Sequence, residues 1–338
     1  MMAPYDSDIR PEKQWWQRGK RVIGVDEAGR GPLAGPVVAA AVELNPENLP
    51  VGIKDSKKLT AKSRSTVATT IYAQSIQTGI GIVHEQEIDR INILQATFQA
   101  MRSGLEKFKT ENTHVLVDGK FTIPDFEQEQ TALVDGDDLS ISIGAASIIA
   151  KTFRDRMMLS YHVLFPEYGF DAHKGYGSKR HLEALTEYGR CPIHRRSFNP
   201  VRDAPNRRFR MKDNAQKAGW LGEIYAGMYF VRNGYDLLMH GYHGSRDGEI
   251  DLIALKGREV IFVEVKSYLR AAEAEPAHYR VTPAKQKKIA DTAEHFYTNE
   301  VYKNRYPAEP ESRFDIVTVD FSRKKPVLKH FADAFLPL

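Results

Sequence analysis

Two runs of alternating strands and helices, parted by a polar, basic stretch near residue 203, constrain this 338-residue chain most. In the first run, residues 21–44 read as two apolar strands, RVIGVDEAG and AGPVVAAAVEL, around the Gly/Pro-rich turn GRGPLAGP. Thr60 is placed to cap a helix over 61–77, and TGIGIV (78–83) is a short strand. Ile88, Ile91, Leu94, Ala96, Phe98, Met101 and Leu105 then fall at helical spacing. HVLVDG (114–119) is a buried strand ending in a carboxylate. A helix from Ile143 to His162 follows, where Ala145 and Ala146 permit close approach to a sheet. A hairpin followed by alternating strands and helices predicts a mixed α/β domain.

The stretch DAPNRRFRMKDN carries no apolar period and reads as a linker. Beyond it lie a helix near 214–233 and strands at DLLMHGY, GEIDLIAL, EVIFVEVK and FDIVTVDF. Thr282-Pro283 starts a helix that reaches Asn299. A chain this long is expected to form two domains. The predicted division is an N-terminal extension over 1–19, a domain over 20–203, a basic linker over 204–213 and a second α/β domain over 214–338.

Cys191 is the single cysteine, so neither an internal disulfide nor a cysteine-based metal cluster can form, and a reducing, cytoplasmic setting is expected. The first twenty residues carry no secretory-type apolar run, and no stretch reaches the roughly 18 apolar residues of a membrane helix. A soluble protein without a membrane partner is therefore expected. The net charge is only +4, but from Arg190 to Lys212 the basic residues face one acid, Asp203. Such a stripe suits either a phosphate backbone or a solvated linker.

Three acids stand at the ends of apolar strands or next to them: Asp26 and Glu27 after VIGV, and Asp118 after HVLV. Asp137 lies in DGDD, ten residues before Ser147 of the long helix. A carboxylate at a buried strand end needs water, a donor or a cation, and four gathered acids repel unless divalent ions neutralise them. Mg²⁺ and Mn²⁺ prefer such oxygen ligands. Neighbours on a strand point to opposite faces, so Asp26 and Glu27 can share a site only if the strand ends or bends there. Gly29 and Gly31 make that bend feasible. Spacing alone leaves open the plainer reading, in which each acid only caps a strand or turn.

The run V-D-E-A-G-R-G-P-L-A-G-P-V-V-A-A-A-V (25–42) closely resembles the signature of ribonuclease HII. So do D-S-K-K-L (55–59), V-D-G (117–119), G-A-A-S-I-I-A-K (144–151) and H-K-G-Y-G (173–177), in the same order over residues 20–202. The resemblance implies an RNase H-like fold whose mixed sheet gathers Asp26, Glu27, Asp118 and Asp137 as metal-binding catalytic acids. Asp135 and Asp138 compete with Asp137 for the fourth place. The implied chemistry is two-metal hydrolysis with Mn²⁺ or Mg²⁺, leaving a 3′-hydroxyl and a 5′-phosphate. The implied substrates are RNA–DNA hybrids and duplex DNA containing ribonucleotides, cut on the 5′ side of the ribonucleotide, with a place in DNA repair. By the same resemblance Gly29, Arg30 and Gly31 read the ribose hydroxyl and Tyr176 stacks on the adjoining deoxyribose. Lys57 and Lys58 are candidate phosphate contacts, and His173 carries no catalytic role. Two alternatives remain open: a module that binds hybrids without cutting them, and an RNase H-like junction nuclease.

In the second domain G-E-I-D (248–251) and V-E-V-K (263–266) lie in two apolar strands, with Glu264 and Lys266 on one face. If the strands pair, Asp251, Glu264 and Lys266 converge, and Glu223 on the preceding helix is placed to join them. Cross-strand ion pairing on an exposed face is the plainer alternative. W-L-G-E-x-Y-A (220–226), N-G-Y (233–235), D-G-E-I-D-L-I-A (247–254) and I-F-V-E-V-K (261–266) resemble the little-characterised YraN-type family. This is a branch of the restriction-endonuclease-like PD-(D/E)xK superfamily, matched over 214–325. The resemblance implies a second nuclease-type site that includes Gln286, or a domain that binds DNA without cutting it.

Overall fold

The computed structural model describes residues 10–53, 59–109, 111–205, 215–244, 248–269, 281–298, 310–323 and 325–336. It divides into two compact units. The first takes the chain up to Arg156 with His173–Leu182 and Pro192–Ala204, and the second takes Met157–Ala172, Glu183–Cys191 and the chain from Pro205.

In the first unit, strands β1 (Arg21–Ala28), β2 (Val37–Leu44), β3 (Ser75–Val83), β4 (Thr113–Asp118) and β5 (Glu129–Leu133) form one sheet in the order β3-β2-β1-β4-β5. β1 to β3 pair antiparallel, and β4 and β5 continue the sheet in parallel. The helices up to this unit's boundary are α1 (Arg10–Trp16), α2 (Ala61–Gln74), α3 (Glu85–Ile91), α4 (Ile93–Leu105), α5 (Gly136–Leu139) and α6 (Ile141–Leu164), whose last residues count with the second unit. Short α7 (Phe170–His173) and α8 (Lys179–Tyr188) follow.

The two-residue period of the strands sorts the core. Ile23, Val25, Ala39, Ala41, Val115 and Val117 pack with residues of α4, while Ala40 and Val42 pack with Ala145, Ala146 and Ile149 of α6. Each large apolar side chain buried this way contributes about 1.5–3 kcal/mol. Small residues set the spacing: a Cβ on Gly81 would fall 1.9 Å from the carbonyl oxygen of Ala100, so α4 can lie on β3 only because glycine stands there. Glu12 of α1, wholly buried, accepts from the Ser140 hydroxyl and from Ser142 N (2.9 Å). The carboxylate thereby meets the positive end of α6.

In the second unit, β6 (Asp236–His243), β7 (Glu249–Lys256), β8 (Glu259–Tyr268), β9 (Glu311–Asp320) and β10 (Val327–Phe331) form a sheet in the order β10-β9-β8-β7-β6. α9 (Ala215–Arg232) precedes the sheet, and α10 (Pro283–Thr298) lies between the parallel strands β8 and β9. A parallel connection needs such a crossover. Ile289 and Phe296 of α10 pack with Ile250, Val260, Phe262, Phe314 and Ile316. Among the described residues no helix is long and apolar enough to cross a membrane.

Three departures from the sequence reading have local causes. The helical pattern through 88–105 is two helices, because Asn92 takes φ 70° and its side chain accepts from Leu94 N and Gln95 N, which restarts the chain as α4. α2 stops at Gln74, before residue 77, because Ser75 already pairs with Leu44 in β3. The edge strands β5 and β10, together with α1 and α8, were not anticipated.

Candidate active site

The parallel pairing of β1 with β4 ends at Val25↔Val117. The next residues, Asp26 and Asp118, therefore stand level on neighbouring strands, Asp118 at the end of β4 and Asp26 two residues before the end of β1. β1 neither ends nor breaks between Asp26 and Glu27, since the ladder with β2 runs on through Ala28↔Val38. The bend expected at the acids falls two residues after Glu27, at Gly29, where φ is +99°.

Asp26 is 5% exposed and is hydrogen-bonded by the Ser147 side chain of α6 and by Glu27 N. Burial first, then the charges of Glu27 and Asp118, push its carboxyl well above the usual carboxylate range. Burial also raises Glu27 against the pull of Arg30, whose Nη1 lies 3.2 Å from Oε1, while Asp118 adds repulsion. Asp118 is raised by burial and by Asp137, although Gly136 N donates to Oδ1 at 2.8 Å. Asp137 stands in α5 after Asp135, which takes the left-handed conformation (φ 54°). Asp26, Glu27 and Asp118 act on one another, and Asp137 acts on Asp118. Among the described residues no three His, Cys, Asp or Glu side chains are disposed to hold one ion together.

Of the four acids, Glu27 and Asp137 line a cleft of about 400 Å³, together with the Gly29–Gly31 turn, Ser147, Lys151 and Tyr176. Tyr176 is 46% exposed, and Lys151 Nζ lies 5.9 Å from the centre of its ring. His173 accepts from Gly175 N and stacks on His181, which makes it a loop-shaping residue. Lys57 and Lys58 lie outside the described residues.

Sequence reasoning passed over Ser147, Lys151 and Arg64 of this cleft. Asp155 holds the two cations in place, 2.8 Å from Lys151 Nζ and 3.0 Å from Arg64 Nη1. The signal for the first two was present: Ser147 and Lys151 are four apart on one helix and so share a face. Arg64 had no local signal.

In the second unit β7 and β8 pair antiparallel up to Leu252↔Val263, bringing Asp251 beside Glu264. Asp251 accepts from Val265 N at 2.6 Å, and burial followed by the Glu264 charge raises its pKa to about 7, with a smaller push from Glu223. Glu264 is 3% exposed and lies between two lysines. Lys266 donates to Oε1 at 2.5 Å, while Lys285 lies 3.2 Å from Oε2 without the alignment of a hydrogen bond. Glu223 Oε2 is 2.8 Å from His240 Nε2. Gln286 stands apart from these contacts, donating to Val281 O at 3.0 Å. Lys285 and His240 were not anticipated, since their partners lie on other elements.

The family model described as Ribonuclease HII matches residues 23–201, and that of Uncharacterised protein family UPF0102 matches residues 222–319. Ribonuclease HII of Syntrophobacter fumaroxidans is 51% identical over 192 residues, covering 56% of this chain and 82% of that protein. Ribonuclease HII of Caldanaerobacter subterraneus subsp. tengcongensis is 52% identical over 188 residues, 55% of this chain and 78% of that one. The crystal structure of ribonuclease H2 from Pyrococcus horikoshii OT3 superposes with a TM-score of 0.47 at 28% identity, over 54% of this chain and 96% of the other.

Proposed function

Because the chain belongs to the ribonuclease HII family, we propose that its first unit is an endoribonuclease. It hydrolyses the RNA strand of RNA–DNA hybrids and incises duplex DNA on the 5′ side of an embedded ribonucleotide, leaving a 3′-hydroxyl and a 5′-phosphate. The observation that carries this reading is the level placement of buried Asp26 and half-buried Asp118: the charge of Asp118 raises Asp26, that of Asp137 raises Asp118, and among the described residues neither forms an ion pair. All the donors are oxygens, a set that fits a hard divalent cation such as Mn²⁺ or Mg²⁺. Asp26, Glu27, Asp118 and Asp137 would hold such ions between them, since no three of them are disposed around a single ion as they stand. When bound, the ion supplies charge neutralisation at the scissile phosphate.

The remaining chemistry lies with the chain. The Gly29–Gly31 turn brings bare backbone to the sugar, where a side chain would intrude. The half-exposed Tyr176 ring offers an apolar face to the neighbouring deoxyribose. Lys151 and Arg64, steadied by Asp155, suit flanking phosphates. In this reading α1 belongs with the 20–203 catalytic domain, through Glu12, and 214–338 is a separate module. The setting is the cytoplasm, in the repair of ribonucleotide-bearing DNA.

A duplex with one ribonucleotide, incubated with Mn²⁺ or Mg²⁺, is expected to be nicked beside that residue, and EDTA is expected to stop the reaction. Retention of the duplex without any cut would instead favour a hybrid-binding module. Preferential cutting of four-way junctions would favour a junction nuclease.

A second reading concerns the other unit: a DNA nuclease or DNA-binding module centred on Asp251, Glu264 and Lys266, with Glu223 nearby. Its motive is the pKa of about 7 at Asp251, a value suited to proton exchange near neutrality. In the full-length chain carrying Asp118→Asn, any residual cleavage of branched, single-stranded or duplex DNA is expected to vanish on adding Asp251→Asn. Binding without cleavage on all three substrates points to the binding role.

A further inference from the structure

The Gly29–Gly31 turn rests on two buried guanidinium groups. Arg154 of α6 and Arg195, in the segment after α8, are both fully buried. Arg195 donates to Gly35 O (2.9 Å) from Nε, to Arg30 O (2.9 Å) from Nη1 and to Gly29 O (2.5 Å) from Nη2. Arg154 donates to Pro36 O (2.9 Å) from Nε, to Ala34 O (3.1 Å) from Nη2 and to Lys174 O (3.0 Å) from Nη1. Every one of these acceptors is a main-chain carbonyl. Among the described residues no acid forms an ion pair with either side chain. Burying a cation whose hydrogen bonds all go to neutral carbonyls is unfavourable: burial brings the two pKa values down to about 9 and about 10, although Glu85 and Asp89 near Arg195 and Asp155 near Arg154 pull the other way. An apolar pair would fill the same space with less penalty, so stability alone is a poor account of two arginines here.

What the two side chains do accomplish is to orient peptide planes. In a trans peptide the C=O and the following N–H point in opposite directions. With the Gly29 and Arg30 carbonyls drawn inward onto Arg195, the N–H groups of Arg30 and Gly31 face the other way, toward the cleft that these residues line. The fit is close, since a Cβ on Gly29 would come within 2.1 Å of Arg154 Nε. The same Arg154 also grips Lys174, two residues before Tyr176, and Leu33 N donates to Gly175 O at 2.8 Å. The Arg195 segment is itself anchored, because Asp89 of α3 accepts from Arg196 N, Ser197 N and the Ser197 hydroxyl.

We propose that Arg195 and Arg154 are positioning residues for the cleavage reaction: they aim the amide donors of the Gly29–Gly31 turn into the cleft and keep the Tyr176 loop in register with it. This inference rests on the endoribonuclease reading of the cleft.

The test uses full-length Arg195→Lys and Arg154→Lys with Mn²⁺ and a duplex bearing one ribonucleotide. Lysine keeps the charge but cannot hold three carbonyls in a planar fork. Misplacement of the turn is expected to lower kcat about 100-fold, with KM within about threefold of wild type. The ¹⁵N order parameters of the Arg30 and Gly31 amides are expected to fall from about 0.85 to below about 0.6. A variant that melts lower yet keeps wild-type kcat per folded molecule and rigid turn amides overturns the proposal. If neither lysine variant folds, the wild-type order parameters decide: rigid amides at Arg30 and Gly31 support the clamp, and flexible ones overturn it. Wild-type protein that cuts no ribonucleotide substrate would sink the endoribonuclease reading instead, and the order parameters would still judge the clamp.

Discussion

Asp118→Asn is expected to lower kcat on a single-ribonucleotide duplex by about 10³-fold or more, while the metal-free variant unfolds at no lower temperature than wild type. The activity loss follows from removing a charge that a cation site requires. Lewis-acid stabilisation is worth several kcal/mol, and about 4 kcal/mol corresponds to three powers of ten. The stability half follows from electrostatics. Burial and then Asp137 raise Asp118, and Asp26 is raised by burial, Glu27 and Asp118.

A carboxyl whose folded pKa lies above its unfolded value favours folding at pH below the unfolded value, and that contribution is lost as pH rises through the folded one. Metal-free wild type should therefore gain stability as the pH is lowered from neutrality toward the ordinary carboxylate range. The Asn variant should show a shallower gain. Added Mn²⁺ should raise the wild-type melting temperature at neutral pH, and raise that of the variant less. Cutting at the wild-type rate by Asp118→Asn would remove this residue from the site.

The second large effect is expected on the strand next to Glu264, at Asp315, the register partner of Val263. This carboxylate on β9 is fully buried and accepts from Arg313 Nε (2.8 Å), Arg313 Nη2 (3.0 Å), His330 Nε2 (2.7 Å) and Asp333 N (2.9 Å). Burial alone would raise its pKa, but the bonds from His330 and Arg313, with that of Asp333 N, bring it below the usual value. Replacing Asp315 by alanine leaves the Arg313 guanidinium with Glu259 as its acid and takes the buried acceptor from the His330 imidazole, at about 1.5–3 kcal/mol for each hydrogen bond to a charged group that is lost. Urea unfolding followed by circular dichroism on the full chain reads this out.

Here the pH dependence has the opposite sign to that at the acidic cleft. A depressed carboxylate contributes stability above its unfolded pKa, and that contribution is lost as pH falls through the folded pKa. In the alanine variant that acid-side loss should be missing. A variant with a wild-type unfolding curve would show that the network around β10 does not hold the sheet.

The parts of this protein that were legible in its sequence are those whose cause is local. Apolar runs of strand length reveal β1 and β4, and with them the places of Asp26, Glu27 and Asp118 near the C-terminal ends of those strands. A glycine-rich turn marks a reversal, and Thr60 and Thr282 each mark a helix start by accepting from an amide three residues on. Asn92 defeated the same kind of reading, because residues on both sides keep helical spacing while one left-handed residue breaks the helix. β5, with its mixed and only partly buried residues, becomes a strand through its pairing with β4, a partner eleven or more residues back in the chain.

Tertiary structure alone decided the rest. The parallel register that sets Asp26 level with Asp118 joins residues far apart in the chain. So do the seating of Glu12 on α6, the Asp155 bridge between Arg64 and Lys151, and the contacts of Arg195 with Gly29 and Arg30. Sequence patterns record what each residue prefers of its own backbone and its near neighbours. Distant partners are chosen by packing, where the energy depends on which surfaces the folded chain brings face to face.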